Sequence, residues 1–372
     1  MGADEKDEAV RDANVCCPRI RLSIVVSRLC PVTGLESVTL SLIEEVASTY
    51  DVKVIVLADE TSTIIQNPSV VVESWGSKVV RWKRILTIWR AIRHRNDLYG
   101  SVIILSGAWA AIPMLFALPK RSRKNTIVWE HSLDRHQVTI NKRLALLRAI
   151  ARPLYGRARA TVAVSESLRR DMYDAGFRGT IEVIPNIVRK FESDQSLEVI
   201  PGTLLAVGSL SKVKNQSLAL RTLALLPENY SLDIVGDGPE RNNLIQLALE
   251  LGIADRVRFH GYVQNPAEHF ARAQILVHTS HSETYGLVMY EAADFKKPVI
   301  AANQGVMAEV VPRLVPGVLA RPEPHSFASA ILSLEVNPIT EEDFVEAAGR
   351  RELLSQHVVR DWKRLISSAA GE

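Results

Sequence analysis

Residues 281–292 read HSETYGLVMYEA, with two carboxylates, Glu283 and Glu291, eight positions apart in a segment otherwise suited to burial. An ionised carboxylate accepts hydrogen bonds and donates none, so it suits a ligand rich in hydroxyl groups. Leu287, Val288 and Met289 read as the packed face of a helix, opened by a turn at Gly286. A strand-like run, AQILVHTS (273–280), ends just before Glu283. That order sets Glu283 in a loop after a strand and Glu291 about two turns into the next helix. Their plain structural readings are a capping acid and a surface helix position. Two cations, Lys212 and Lys214, follow another Gly turn in AVGSLSKVKNQSL (206–218). They suit an anionic group, or are solvated turn charges. His131 stands just past the strand-like TIVWE (126–130), where a titratable ring can meet a ligand or serve the core.

These residues need a frame. RLSIVVSRL (21–29), a turn at CPVTGLES, a helical VTLSLIEEVAST (38–49) and VKVIVLA (52–58) form a βαβ unit, which implies a parallel sheet. Strand-like runs recur at SVIIL, TIVWE, ATVAVS (160–165) and IEVIPN (181–186). The scheme restarts with TLLAVGS (203–209), SLDIVGD (231–237), VRFHGYV (257–263), AQILVHTS and KPVIAAN (297–303), with helical stretches between. Two α/β domains follow, over 20–190 and 202–350, joined through the polar stretch VRKFESDQSLEVIPG (188–202). Residues 1–19 read as a flexible tail, and 351–372 as a C-terminal helix packing back on the first domain.

The chain has 372 residues, 47% hydrophobic and 23% charged, as in a globular protein. Cys16, Cys17 and Cys30 are too few and too local for a disulfide framework, which points to the cytoplasm. The polar N-terminus lacks the apolar core of a signal peptide. SVIILSGAWAAIPMLFAL (101–118) is charge-free but broken by Gly107 and Pro113; it reads as a strand, a turn and a buried helix. Charge is uneven: residues 78–160 hold 18 Lys and Arg against 3 Asp and Glu. Within them, VVRWKRILTIWRAIRHR (79–95) puts Trp82, Ile85, Leu86, Trp89 and Ile92 on one helical stripe. Arg81, Lys83, Arg84 and Arg90 flank it. Such a helix lies in an anionic membrane interface, contacts another polyanion, or packs on the sheet with its basic face solvated.

Four segments in order, AVGSLSKVKNQSL, LDIVGDGPERNNL, VRFHGYVQN and SETYGLVMYEAA, resemble the retaining, nucleotide-sugar-dependent glycosyltransferases of family 4. The resemblance covers roughly residues 20–335 and implies the GT-B fold: two facing Rossmann-like domains with a cleft between them. It implies that Glu283 accepts from donor-sugar hydroxyls and Glu291 from ribose hydroxyls. Thr284, Tyr285, Gly286 and Leu287 would offer backbone N–H groups to the diphosphate. Lys214 takes the place of the family's phosphate-binding Lys, His131 that of its cleft His, and Gly34 that of its glycine-rich loop. Three departures stand out. Ser209 occupies the position usually held by Arg, leaving that contact absent or supplied by Lys212. Only one loop glycine is present, and Ile187 follows Asn186 where the family has Gly. Ser165 faces the cleft or caps a helix. The chain has no Asp-x-Asp, so no metal cofactor is expected. The implied reaction transfers a sugar from a nucleotide sugar, UDP favoured and GDP the alternative, to a lipid-linked or glycan acceptor. A nucleic-acid- or small-molecule-directed glycosyltransferase, a nucleotide-sugar epimerase and a non-catalytic nucleotide-sugar binder are the rivals.

Overall fold

The computed structural model describes residues 19–29, 34–57, 65, 67–75, 102–132, 142–188 and 197–371. The tail 1–18 and the segment 79–95, with Arg81, Trp82, Lys83, Arg84, Trp89 and Arg90, lie outside the described residues, as does most of the turn before Gly34.

Apolar runs such as VIILS and TIVWE are buried along their whole length, as strands covered on both faces by helices must be. Among the described residues, thirteen strands build two sheets. The first holds β1 (Arg21–Val26), β2 (Asp51–Val56), β3 (Val70–Ser74), β4 (Val102–Ser106), β5 (Thr126–Glu130), β6 (Ala160–Ala163) and β7 (Ile181–Val183). Its order is β3-β2-β1-β4-β5-β6-β7. The second holds β8 (Thr203–Val207), β9 (Ser231–Val235), β10 (Val257–Gly261), β11 (Ile275–His278), β12 (Val299–Ala302) and β13 (Gly317–Ala320), in the order β10-β9-β8-β11-β12-β13. The paired strands run parallel in both sheets. Strand order reverses between β1 and β4, and again between β8 and β11. In an open parallel sheet, the loops leaving the strands diverge at such a reversal and open a crevice beyond their carboxyl ends. Two parallel sheets with helices between their strands agree with the fold class that the sequence implied.

Two details differ from the sequence reading. The helix Ala108–Ala117 is buried on one side only: Ala110, Ala111, Met114 and Leu115 face the core, while Trp109 is 68% and Phe116 58% exposed. Seven positions apart, these two rings share one helix face. The C-terminal helix runs Glu341–Ala370, so it starts before residue 351. Thr340 and Asp343 cap it reciprocally.

That long helix touches both domains. Near its start Arg351 pairs with Asp294 at 2.8 Å, and Arg350 donates to the Arg313 carbonyl. Near its end Trp362 sits edge-on to Trp129 of β5, ring centres 5.2 Å apart, and Arg364 reaches Glu182 at 2.8 Å. The domains also meet directly. Tyr285 donates to the Asn186 carbonyl at 3.0 Å, and Arg170 pairs with Glu309 at 2.7 Å.

Candidate active site

The loops after β8 and β11 flank the reversal of the second sheet, and they are stitched together. His281 N donates to the Val213 carbonyl at 2.8 Å, and the Thr279 hydroxyl to the Lys214 carbonyl at 3.0 Å. The turn after β8 depends on close backbone approach. A Cβ on Gly236, just past β9, would stand 2.0 Å from the Gly208 carbonyl oxygen, so a side chain there would push the turns after β8 and β9 apart.

This stitching brings Lys214 to Glu283. Lys214 Nζ lies 2.5 Å from Glu283 Oε1, and the Ser280 hydroxyl donates to the same oxygen at 2.8 Å. His278 Nε2 lies 3.2 Å from it without hydrogen-bond alignment. Burial pushes the Glu283 carboxyl up, but His278 and Lys214 outweigh it and hold it well below the usual carboxylate range. The group is therefore ionised at any working pH.

Gly286, at φ 74°, makes the left-handed turn that opens the helix Leu287–Asp294. A Cβ there would meet the Met289 methyl at 2.5 Å. Thr284 and Tyr285 lie in the loop before that helix. The Tyr285 ring is buried, stacks on Tyr290 at 5.1 Å, and spends its hydroxyl on the Asn186 carbonyl. A Cβ on Gly34 would lie 2.8 Å from Leu287 Cδ1. The N-termini of the helices Gly34–Ala47 and Leu287–Asp294, one from each domain, thus come together, and helix N-termini favour anions.

Glu291 lies four residues past the helix start, about one turn rather than two. It is half-buried, and among the described residues its carboxylate has no hydrogen-bond partner. Burial pushes its carboxyl up to about 7, and the negative Asp294 adds to the rise. Ser209 and Lys212 are exposed, and among the described residues neither side chain bonds to the Lys214–Glu283 pair. The Ser209 carbonyl accepts from Gln216 at 3.0 Å.

His131 sits past the end of β5, next to the reversal of the first sheet. Ser106, at the end of β4, reaches its Nε2 at 3.2 Å, and Trp129 packs on the ring at 4.3 Å. Burial pushes the ring down to about 3, so it is neutral at pH 7. Glu130 fixes the backbone behind it, accepting from His131 N at 3.0 Å while Tyr155 donates to its other oxygen at 2.6 Å. Among the described residues no hydrogen bond joins His131 to the Lys214–Glu283 pair. Ser165 accepts from Leu168 N at 3.1 Å and is a helix cap.

Asp233, His260 and His269 also converge, within 4.8 Å. Arg258 already neutralises Asp233 at 2.6 Å, and the two imidazoles pack against each other with centres 4.3 Å apart. The group reads as a polar network on the edge of the second sheet rather than a metal centre.

Sequence reading missed His278, Thr279 and Ser280. Their signal was present: three consecutive polar residues closing an otherwise apolar strand, ILVHTS.

Comparison with known proteins bears on this geometry. Residues 32–189 match the family model described as Glycosyltransferase Family 4, and 189–351 the one described as Glycosyl transferases group 1. The lipopolysaccharide core biosynthesis glycosyltransferase LpsD of Rhizobium meliloti is 32% identical over 154 residues, 40% of this chain and 45% of that protein. The D-inositol 3-phosphate glycosyltransferase of Geodermatophilus obscurus is 33% identical over 187 residues, 44% of this chain and 38% of that protein. These matches thus span less than half the length of either relative. Anabaena HepE, crystallised with UDP and glucose, superimposes with a TM-score of 0.74 over 94% of this chain and 100% of its own, at 20% identity. At that identity the likeness speaks for the fold.

Proposed function

Because the chain belongs to glycosyltransferase family 4 and has the GT-B fold, we propose that it transfers a sugar from a nucleoside-diphosphate sugar to an acceptor hydroxyl, with retention of configuration. The observation that carries this reading is the Lys214–Glu283 pair at the β8/β11 crevice, beside two converging helix N-termini. A diphosphate needs a cation and free N–H groups; a sugar needs an ionised acceptor.

The acceptor oxygen forms its bond to the anomeric carbon on the face from which the diphosphate leaves. The bond from that carbon to the phosphate oxygen breaks, and a diphosphate oxygen takes the acceptor's proton. Lys214 and the N–H groups near Leu287 stabilise the charge that grows on the leaving group. Glu283 accepts from sugar hydroxyls and Glu291 from ribose hydroxyls. Neutral His131 lines the first-domain side. UDP is the favoured base carrier, in keeping with the UDP bound by HepE. The name of the Rhizobium relative points to a glycan or lipid-linked acceptor, our favoured reading, while that of the Geodermatophilus relative points to a small phosphorylated polyol, the alternative.

The experiment is a calorimetric screen of UDP- and GDP-sugars, followed by radiolabel transfer into lipid, nucleic-acid and small-molecule fractions. Turnover of the donor without any acceptor would favour an epimerase. Loss of label transfer on nuclease treatment of the acceptor fraction would favour a nucleic-acid acceptor. Transfer is expected to survive excess EDTA, since Lys214 and the helix N-termini do what a divalent ion would do. Activity abolished by EDTA and restored by magnesium or manganese contradicts this.

A peripheral membrane surface is a second part of the reading. Among the described residues no helix is long and apolar enough to cross a membrane. Trp109 and Phe116 instead expose large apolar area beside the exposed cations Lys120, Arg121 and Lys124. Rings flanked by cations suit an anionic bilayer surface, each well-placed cation adding about 1 kcal/mol. Wild type is expected to sediment with anionic liposomes at low salt and less at high salt. Trp109→Ala with Phe116→Ala, or Gln at Arg81, Lys83, Arg84 and Arg90, should weaken it. Equal binding to neutral and anionic vesicles would remove the membrane from the account.

A further inference from the structure

Glu283 is held in an uneven way. Lys214, Ser280 and His278 all lie within 3.2 Å of Oε1, while Oε2 has no partner among the described residues. His278 is the last residue of β11 and is 4% exposed; its Nε2 is buried and bonds to nothing else. A buried imidazole N–H with no partner costs stability, so its place beside a carboxylate needs a reason. Oε1 already receives Lys214 and Ser280, and the ring nitrogen stands just out of line. A small rotation of the carboxylate, as Lys214 turns towards a diphosphate, would bring His278, 3.2 Å away, into line and replace the bond that Lys214 gives up.

We propose that His278 is a positioning residue: it holds Glu283 by Oε1 when Lys214 engages the diphosphate, so that Oε2 is the atom that meets the donor sugar. The proposal rests on the nucleotide-sugar reading above. It assigns His278 no contact with substrate. It also explains why a polar ring closes a strand whose neighbours Ile275, Leu276 and Val277 are all apolar and buried.

The test compares wild type with His278→Leu, which fills the space but donates nothing, and His278→Gln, whose amide nitrogen can stand near the place of Nε2. Calorimetry measures free UDP and GDP against UDP-glucose, UDP-galactose, UDP-N-acetylglucosamine and GDP-mannose. The readout is the extra affinity that the sugar brings over the free nucleotide. His278→Leu should lose about tenfold of that increment while binding free nucleotide within about twofold of wild type. His278→Gln should recover most of it. Circular dichroism and thermal unfolding of both variants establish that they fold. If His278→Leu keeps the full increment, or if the Leu and Gln variants behave alike, His278 is packing and the proposal falls. Should His278→Leu fail to fold, an unaltered increment in wild-type-like His278→Asn, which cannot reach Oε1, overturns it equally, and a lost one supports it. Failure of wild type to bind any of these nucleotides would overturn the nucleotide-sugar reading instead.

Discussion

Glu283→Gln will lower sugar transfer by about 10- to 100-fold while leaving the protein folded. A hydrogen bond to a charged acceptor contributes about 1.5–3 kcal/mol, and each 1.4 kcal/mol is tenfold in rate. The amide has the carboxylate's shape, so the loop after β11 keeps its packing. What changes is the charge. Lys214, now facing a neutral amide, stays available to the diphosphate, and free UDP should bind as well as to wild type or better. The loss therefore falls on the sugar-dependent part of binding and on turnover. Steady-state kinetics with the donor found in the screen, beside calorimetry with UDP, separates the two. Normal turnover in this variant would remove Glu283 from the site.

Glu291→Gln carries the second large effect, and it has two signs. The Glu291 carboxyl is pushed up to about 7 from an ordinary 4.5 by burial and by Asp294. A raised carboxyl binds its proton more tightly folded than unfolded, so stability falls as pH rises from about 4.5 to about 7. Above that window the cost is fully present, at most about 2–3 kcal/mol, since each pKa unit is worth 1.36 kcal/mol and the side chain is only partly screened from water. Gln carries no charge. The variant should therefore unfold at a higher temperature than wild type at pH 8, with the gap closing towards pH 5. Donor binding should move the other way, weakening about tenfold as a charged acceptor for ribose hydroxyls is lost. Asp294 does not offset this, because Arg351 of the C-terminal helix already pairs with it at 2.8 Å. Thermal unfolding at the two pH values decides. A variant less stable than wild type at pH 8 would mean that Glu291 is held by contacts rather than kept for a ligand.

The central strands were legible in the sequence, because buried parallel strands write themselves as short apolar runs. Two strands were not: β3, VVVES, and β13, GVLA. Both lie at sheet edges, where pairing on one side permits a short or weakly apolar run. Lys214 and Glu283 were legible because each lies in a loop after a strand, Lys214 past the turn at Gly208 and Glu283 just before the one at Gly286. Their mutual contact was not, since 69 positions separate them and only the reversal of strand order brings their loops together. The same limit hid His278, whose partner lies across a turn that pattern reading cannot fold. Trp109 and Phe116 were misread for a different reason. Absence of charge in the helix Ala108–Ala117 says nothing about which face is covered, and their spacing of seven was the available sign. Glu291 had its clue three positions on, at Asp294, where like charges share a helix face.

Where a donor binds is the most direct test of the Lys214–Glu283 site. A crystal structure with the nucleotide sugar selected by the screen should show the diphosphate within hydrogen-bond distance of Lys214 Nζ and of the backbone near Leu287. A sugar hydroxyl should lie on Glu283 Oε2 and the ribose on Glu291. A donor seated away from the β8/β11 crevice, with Lys214 and Glu283 still paired only to each other, would contradict it.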